Sequence, residues 1–181
     1  MKVIPTELRE VVLLEPKIHE DHRGITYESY NQRTFREATG VDVSFVQENR
    51  SRSVKHTIRG LHYQLGRPQG KLIGVLSGEL YDVAIDLRRS SPTFGKWTGF
   101  RLSGNEHRYA WIPSGFGHGF LALSERVEVI YKLSEFWAPE LERIIRWDDP
   151  DLAIRWPFEG KPVLSKRDAA APRLREAEVF P

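Results

Sequence analysis

The sequence predicts an all-β protein, an antiparallel sandwich or barrel of the kind that includes the jelly roll. Apolar and polar residues alternate with a period of two over several short runs, as is typical of half-buried antiparallel strands. Turn-forming clusters separate these runs: DHRG (21–24), LSGEL (76–80), SSPTFG (90–95), LSGNE (102–106) and PSGFG (113–117). Many short strands at such spacing are typical of a sandwich or barrel.

Two runs show the strand alternation most clearly. In YDVAIDL, at 81–87, the odd-numbered positions are Tyr, Val, Ile and Leu, and the even-numbered positions include two aspartates. In RVEVIYKL, at 126–133, Val, Val, Tyr and Leu alternate with Arg, Glu, Ile and Lys. Each run therefore predicts a strand with one face in the core and the other in solvent.

A few short helices and an extended C-terminal segment complete the prediction. RTFREATG, at 33–40, predicts a helix that ends at Gly40, and PELERI, at 139–144, predicts a second helix starting near Pro139. From about 157 to 181 the chain is rich in proline and charge, which predicts an extended segment wrapping the surface. At 181 residues, we expect a single domain, 1–181.

Composition excludes several classes of protein. Lys and Arg total 27 against 25 Asp and Glu, so there is no charge excess of the kind typical of nucleic-acid binders. The absence of cysteine excludes disulfides and Cys-ligated zinc and is compatible with a reducing cytoplasm. The N-terminal stretch has no long apolar run, and no stretch approaches a membrane span. We therefore expect a cytoplasmic protein without nucleic-acid or membrane partners.

One motif raises the question of a metal site. PSGFGH, at 113–118, fits the P-x-G-x-x-H half of the signature of cupins, jelly-roll proteins that often bind metal. The place of the second half, an H-x-H pair, reads His62-Tyr63-Gln64, and Lys71 follows where a carboxylate would be needed. A lysine cation beside a divalent metal is electrostatically unfavourable, and a metal centre usually needs three or four ligands. The sequence predicts a cupin-like frame without metal, with its pocket used for acid–base chemistry.

Four polar segments interrupt the apolar pattern. They are HEDHRGITYES (19–29), FVQENRSRS (45–53), RGLHYQLGRPQGKL (59–72) and WIPSGFGHGF (111–120). Each has a purely structural alternative: Arg23-Gly24 fits a hairpin turn, and an isolated histidine such as His62 is more often structural than catalytic. No single segment carries a functional conclusion.

Together, these segments resemble the dTDP-4-dehydrorhamnose 3,5-epimerase family. The resemblance spans about Pro16 to Asp168 and also includes GELYDVAIDLRRSSPTFGKW, VIYKLSEFW, IRWDDPDLAIRWP and LSKRD, in order and at matching spacing. It implies a homodimeric, cupin-like jelly roll without cofactor. Such an enzyme would invert carbons 3 and 5 of dTDP-4-dehydro-6-deoxyglucose to give dTDP-4-dehydro-rhamnose.

Other functions remain open alongside this one. The nearest is an epimerase that inverts only carbon 3 or only carbon 5 of a related 4-keto-6-deoxy nucleotide sugar. More distant alternatives are an isomerase that moves the ketone from carbon 4 to carbon 3, a sugar-nucleotide-binding jelly roll without activity, and a metal-dependent oxygenase.

Epimerisation beside a ketone needs a base, a positive charge for the enolate oxygen and an acid on the opposite face. His62 is the candidate base, because imidazole titrates near neutral pH. The resemblance implies that Asp168 pairs with His62, as carboxylates orient histidines elsewhere. Lys71 is suited to the developing oxyanion. Tyr131 is the candidate acid, since a phenol stays protonated at neutral pH.

The resemblance also implies a set of substrate-binding residues. Arg59 offers a planar fork for a diphosphate oxygen. Trp137 occupies the position of an aromatic residue that stacks on thymine, where tyrosine is more usual. The full set that the resemblance implies is Arg23, Glu28, Gln47, Asn49, Arg59, Lys71, His118, Trp137 and Glu142. The segment from Arg23 to Glu28 is the candidate for entering the partner subunit's site.

Arg59 and His62 raise a geometric problem. Their separation is odd, so in a regular strand their side chains would point to opposite faces. Gly60 lies between them, and a glycine inside a strand often marks a bulge or sharp bend. The sequence therefore predicts an irregularity near Gly60.

Overall fold

Two antiparallel sheets make up most of the protein. The computed structural model describes residues 1–181. The strands are β1 (Lys2–Pro5), β2 (Val12–Glu15), β3 (Ile18–Asp21), β4 (Gly24–Tyr27), β5 (Gln47–Val54), β6 (Ile58–Gln64), β7 (Lys71–Ser77), β8 (Glu79–Asp86), β9 (Trp97–Ser103), β10 (Tyr109–Ile112), β11 (Phe116–Ala122), β12 (Arg126–Leu133) and β13 (Glu142–Ile144). One sheet has the order β1-β2-β10-β7-β12-β5 and the other β13-β6-β11-β8-β9. Strands β3 and β4 form a separate hairpin. The predicted all-β jelly roll is confirmed.

The main core lies between the two sheets. It joins Ile73 and Val129 of the six-stranded sheet to Leu80, Phe116 and others of the five-stranded sheet. Strand β12 shows the predicted alternation, because its odd-numbered residues pack towards this core while Arg126 at its start is exposed. The inward-facing side chains of these strands therefore fill the space between the sheets. At one end of the sandwich the inward-facing residues are polar instead of apolar.

A second core covers the outer face of the five-stranded sheet and corrects one prediction. Strand β8 was expected to have one solvent face, but both of its faces are buried, and Asp82 and Asp86 are fully buried. The face with Val83 and Ile85, expected in the core, is the outer one, and the C-terminal segment covers it through Ala177 and Phe180. The face with Asp82 and Asp86 points into the sandwich, where the intervening Ala84 belongs to the main core. A distant segment of chain thus converts a half-buried strand into a fully buried one.

The C-terminal segment is extended, as predicted, with two short helical turns. Val163 pairs with Thr57 in a parallel bridge, and Phe180 pairs with Arg88 in another. Between these anchors lie α2 (Lys166–Ala169) and a 3-10 turn (Leu174–Glu176). The segment is held at both ends, so α2 has a fixed position beside β6.

The predicted helix at 33–40 is present as α1 (Gln32–Thr39). Asn31 caps its start by accepting from the backbone N–H groups of Arg33 and Thr34, and Gly40 ends it with φ of 72°. The second predicted helix is wrong. Residues 139–141 form a turn and β13 follows, because the backbone of Glu142–Ile144 pairs with β6 at the edge of the sheet. None of the helices has the length and apolar character needed to cross a membrane.

Candidate active site

The predicted irregularity at Gly60 is confirmed. Gly60 has φ of 126° and a cis peptide bond to Leu61, and the pairing of β6 with β11 shifts register between His118 and Phe120. A Cβ on Gly60 would lie 2.4 Å from Gly119 Cα, so the two strands approach too closely for any side chain there. The shift turns Arg59 and His62 into the same cavity.

That cavity has a volume of about 390 Å³ and lies at the polar end of the sandwich. Both sheets, the loop after β12 and α2 contribute to its wall. Of the residues predicted to form the site, the cavity brings together Asn49, Arg59, His62, Lys71, His118, Tyr131, Trp137 and Glu142. His62 and His118 come from the five-stranded sheet, whereas Lys71 and Tyr131 come from the six-stranded sheet, so these pairs face each other across the cavity.

His62 is held by a buried carboxylate. Its Nε2 lies 2.6 Å from Asp168 Oδ1, and Ser165 Oγ donates to Asp168 Oδ2 at 2.7 Å. Burial opposes ionisation of Asp168, but the hydrogen bonds from His62 and Ser165 outweigh it and lower the pKa of this carboxyl. With Nε2–H donated to the carboxylate, Nδ1 of His62 has no partner within the protein and carries the basic lone pair.

Lys71 is a buried ammonium beside this pair. Its side chain is almost completely enclosed, and Nζ donates to the backbone carbonyl of His62 at 3.3 Å. Burial lowers the pKa of Lys71 to about 8, although the negative charges of Glu142 and Asp82 favour the charged form. The ammonium is therefore mostly protonated at neutral pH and poorly hydrated.

His118 forms a second histidine–carboxylate pair. Its Nε2 lies 2.9 Å from Asp82 Oδ2, and Asp82 is fully buried. Burial lowers the pKa of His118, and the attraction of Asp82 offsets this only in part. His118 therefore contributes a neutral imidazole to the cavity wall.

A row of polar side chains on β5 lies on the side of the cavity opposite the two histidines. Gln47 donates to Asn49 Oδ1 at 3.0 Å and accepts from the backbone N–H of Trp137 at 2.9 Å. Asn49 Nδ2 lies 3.5 Å from Tyr131 Oη, which is a long contact. Arg59 Nε donates to Ser53 Oγ at 3.0 Å, which directs the guanidinium along this row.

Gln64, at the place of the missing second histidine, has a structural task. Its carboxamide donates to the backbone carbonyls of Arg67 and Phe136 and accepts from the backbone N–H of Ala138. These bonds fix the loop that carries Trp137 at the mouth of the cavity. No three His, Asp or Glu side chains come together in a way that would hold a metal ion.

Two predicted residues lie away from the cavity in this chain. Arg23 is exposed on the β3–β4 hairpin and pairs with Asp21 at 2.6 Å. Glu28 accepts hydrogen bonds from Asn31 and Thr34 at the start of α1. Within one chain, the structure does not bring either side chain to His62.

The cavity also contains residues that the sequence interpretation missed. Arg167 precedes Asp168 on α2 and pairs with Glu142 at 2.7 Å. Gln69 and Ser51 add polar groups to the wall, and its apolar part consists of Phe120, Val129 and Leu133. Arg167 was detectable because it is the direct neighbour of a predicted residue in LSKRD. Ser51 and Gln69 lie inside polar segments that were singled out, although neither residue was assigned to the site.

Comparisons with known proteins agree on one family. The model of the dTDP-4-dehydrorhamnose 3,5-epimerase family matches residues 5–176. A Pseudomonas aeruginosa protein of that name is 52% identical over 181 residues, covering 100% of both chains. The solved dTDP-6-deoxy-D-glucose-3,5-epimerase of Legionella pneumophila, in complex with dTDP-4-keto-L-rhamnose, is 47% identical, with a TM-score of 0.95 over 98% of this chain and 94% of that one. A solved 3'-monoepimerase of Streptomyces bikiniensis is 35% identical, with a TM-score of 0.88 over 97% and 88%.

Proposed function

Because the chain belongs to the dTDP-4-dehydrorhamnose 3,5-epimerase family, we propose that it inverts carbons 3 and 5 of dTDP-4-dehydro-6-deoxyglucose, with His62 as base and Tyr131 as acid. The observation that carries this proposal is their placement on opposite sheets around one cavity. A sugar ring held between them meets a base on one face and a proton donor on the other. Inversion requires this arrangement, because the proton must leave and return on different faces.

Proton removal falls to Nδ1 of His62. The hydrogen bond from Nε2 to Asp168 fixes the tautomer in which Nδ1 is unprotonated and stabilises the imidazolium that forms. The proton on carbon 3 or carbon 5 is acidic because it lies beside the ketone at carbon 4. Its removal leaves an enolate whose negative charge resides on the carbon 4 oxygen.

Lys71 stabilises that enolate. Its ammonium is buried, so its attraction for a developing oxyanion is less screened than it would be in water. Tyr131 then transfers its phenolic proton to the carbon from the opposite face. Exchange with solvent returns a proton to Tyr131 and removes the one that His62 took up. These groups supply base, cation and acid, so the proposed reaction uses no cofactor.

Binding of the nucleotide involves the remaining polar wall. In this proposal Arg59 binds a diphosphate oxygen and Trp137 stacks on the base. The exposed ring of Trp137 and the hydrogen bond from its backbone N–H to Gln47 support the second contact. Asn49, His118 and Glu142 contact the sugar in this proposal. Because Asp168 comes from the C-terminal segment, the proposed epimerase domain includes that segment and spans residues 1–181. We propose that it acts in the cytoplasm.

We further propose a homodimer in which Arg23 and Glu28 enter the partner's cavity. Apolar residues are exposed on the outer face of the six-stranded sheet, at Val54 and Leu76, and on the hairpin, at Ile18. A second copy packed on this surface would cover them and carry the hairpin beyond its own subunit. Mixing R23A and H62N variants tests this, because heterodimers with one intact site would regain activity that neither parent shows.

The decisive experiment is turnover of dTDP-4-dehydro-6-deoxyglucose in heavy water, followed by NMR of the product. The proposal requires deuterium at both carbon 3 and carbon 5 with inversion at each. Deuterium at a single inverted carbon would establish the 3-only or 5-only alternative, and a 3-keto product would establish the ketone isomerase. No exchange would contradict the proposal altogether.

The Y131F variant separates proton removal from inversion. Phenylalanine retains the packing of the ring but has no proton to give. The variant is therefore expected to exchange deuterium into the substrate with retained configuration, through His62 alone. Inversion at the wild-type rate in Y131F would remove Tyr131 from the mechanism.

A further inference from the structure

The hydroxyl of Ser165 makes two hydrogen bonds to the residue that holds the base. Ser165 Oγ accepts from the backbone N–H of Asp168 at 3.0 Å and donates to Asp168 Oδ2 at 2.7 Å. The other carboxylate oxygen, Oδ1, is the one that holds His62 Nε2 at 2.6 Å. One continuous chain of hydrogen bonds therefore runs from Ser165 through Asp168 to His62.

This arrangement differs from an ordinary helix cap. In a capping box, the acidic side chain three residues after the cap reaches back to the backbone N–H of the cap residue. In α2 the acidic residue at that place is Asp168, and its carboxylate instead spans Ser165 Oγ and His62. The cap thus aims a carboxylate out of the helix and towards the cavity.

The Asp168 carboxylate is buried, so its donors determine its basicity. Burial raises its pKa, while hydrogen bonds from His62, Ser165 and, more weakly, the Gly60 backbone N–H lower it. Ser165 is the only side-chain donor on Oδ2. Removing its hydroxyl leaves the anion less stabilised and therefore a stronger acceptor for the His62 proton.

We propose that Ser165 is a positioning residue that completes a Ser165–Asp168–His62 chain and limits the proton affinity of the base. The proposal rests on the proposed role of His62. With the hydroxyl present, the carboxylate divides its charge between two donors, His62 on Oδ1 and Ser165 on Oδ2. Without the hydroxyl, the imidazolium of His62 is held more strongly.

Other charged groups also face His62. The charged and titratable groups around it are Lys71 from β7, His118 from β11 and Asp82 behind it on β8, Glu142 from β13, Arg167 from α2, Arg59 from β6 and Tyr131 from β12. All of them remain in place when only Ser165 changes. A difference in the titration of His62 between Ser165 variants is therefore caused by the loss of the Ser165 hydroxyl.

The test is titration of His62 by imidazole ¹⁵N NMR, with the pH profile of kcat/KM, in S165A and S165T. In S165A the pKa of His62 and the acidic limb of the profile are expected to rise by about 0.5 to 1 pH unit, and kcat on the plateau to fall about tenfold. S165T retains the hydroxyl and is expected to match the wild type. The NMR titration needs folded protein but not activity, and S165C, with a weaker donor, replaces S165A if alanine prevents folding.

An unchanged pKa and profile in folded S165A would overturn the proposal and leave Ser165 as a cap that only stabilises α2. A double-mutant comparison separates this result from failure of the proposed function. If Ser165 acts through His62, adding S165A to H62N lowers the residual rate less than twofold. A fully active H62N would instead refute the role of His62 itself.

Discussion

The two histidine–carboxylate pairs of the cavity share their chemistry but not their surroundings. His62 and His118 are register partners on neighbouring strands, and each directs Nε2 at an aspartate. The His62 side chain is 31% exposed, and its aspartate comes from the C-terminal segment. The His118 side chain is 12% exposed, and its aspartate comes from the adjacent strand and is fully buried.

This difference shows that a carboxylate partner does not by itself make a histidine a base. The His62 ring, on which the positive charge of an imidazolium forms in the proposed reaction, lies open to a polar cavity. At His118 the same charge would be created in a buried position, and burial lowers the pKa despite Asp82. One pair is therefore suited to proton transfer and the other to hydrogen bonding with a neutral ring.

The largest expected effect separates the two histidines directly. H62N is expected to lower kcat by about 10²–10⁴-fold, because it removes the proposed base. H118N, which keeps a neutral hydrogen-bonding side chain, is expected to raise KM with a loss in kcat of less than about tenfold. Steady-state kinetics of both variants measures this, and equal losses in kcat would mean that the two pairs share the proton transfer.

Lys71 provides the next largest effect, together with a pH dependence. Because the pKa of Lys71 lies at about 8, activity is expected to fall as pH rises through this value and the ammonium loses its proton. K71M, which has no charge at any pH, is expected to lose about 10²–10³-fold in kcat. The profile of kcat/KM between pH 6 and about 10 measures this fall in activity at high pH. If the fall occurs at the same pH in K71R, a group other than Lys71 causes it.

For stability, the order is expected to reverse, so that replacing His118 has a larger effect than replacing His62. H118F leaves the fully buried Asp82 without its partner and is expected to lower the free energy of unfolding by about 3 kcal/mol. H62F is expected to cost only about 1 kcal/mol, because Asp168 keeps its hydrogen bond from Ser165. Urea unfolding of both variants tests this, and a larger loss in H62F would contradict the difference in burial.

The last expected effect has the opposite sign, a gain in stability at the expense of activity. Burial lowers the pKa of Lys71, so the unfolded chain binds this proton more tightly and folding is disfavoured at any pH below about 8. K71M removes that cost and is expected to stabilise the protein by about 1–3 kcal/mol at neutral pH. The gain should diminish above pH 8 and vanish above the ordinary lysine pKa, which unfolding measured at pH 7 and near pH 10.5 would show. An equal gain in stability at both pH values would mean that the stabilisation comes from packing alone.

Much of the site was predictable because its residues lie on strands with a clear period. The alternation in β12 places Tyr131 inward, and the odd separation of Arg59 and His62 required the irregularity that Gly60 provides. These predictions depend only on local backbone geometry.

The errors all involve distant parts of the chain. The outer face of β8 is buried because the C-terminal segment covers it, and no local pattern records that contact. PELERI has helical composition, but pairing with β6 draws its second half into a strand. The assignment of Arg23 and Glu28 to the site is a different case, because it rests on resemblance and stays a prediction.

The contact between Gly60 and Gly119 offers a calibration for deep mutational scanning. A Cβ on Gly119 would lie 2.8 Å from the carbonyl oxygen of Arg59, so neither position has room for a side chain. All nineteen substitutions at each position should therefore score alike, whatever their polarity. At His62 or Lys71, by contrast, the scores should depend on chemistry. The glycine pair thus provides the baseline against which selection for function can be read in the same library.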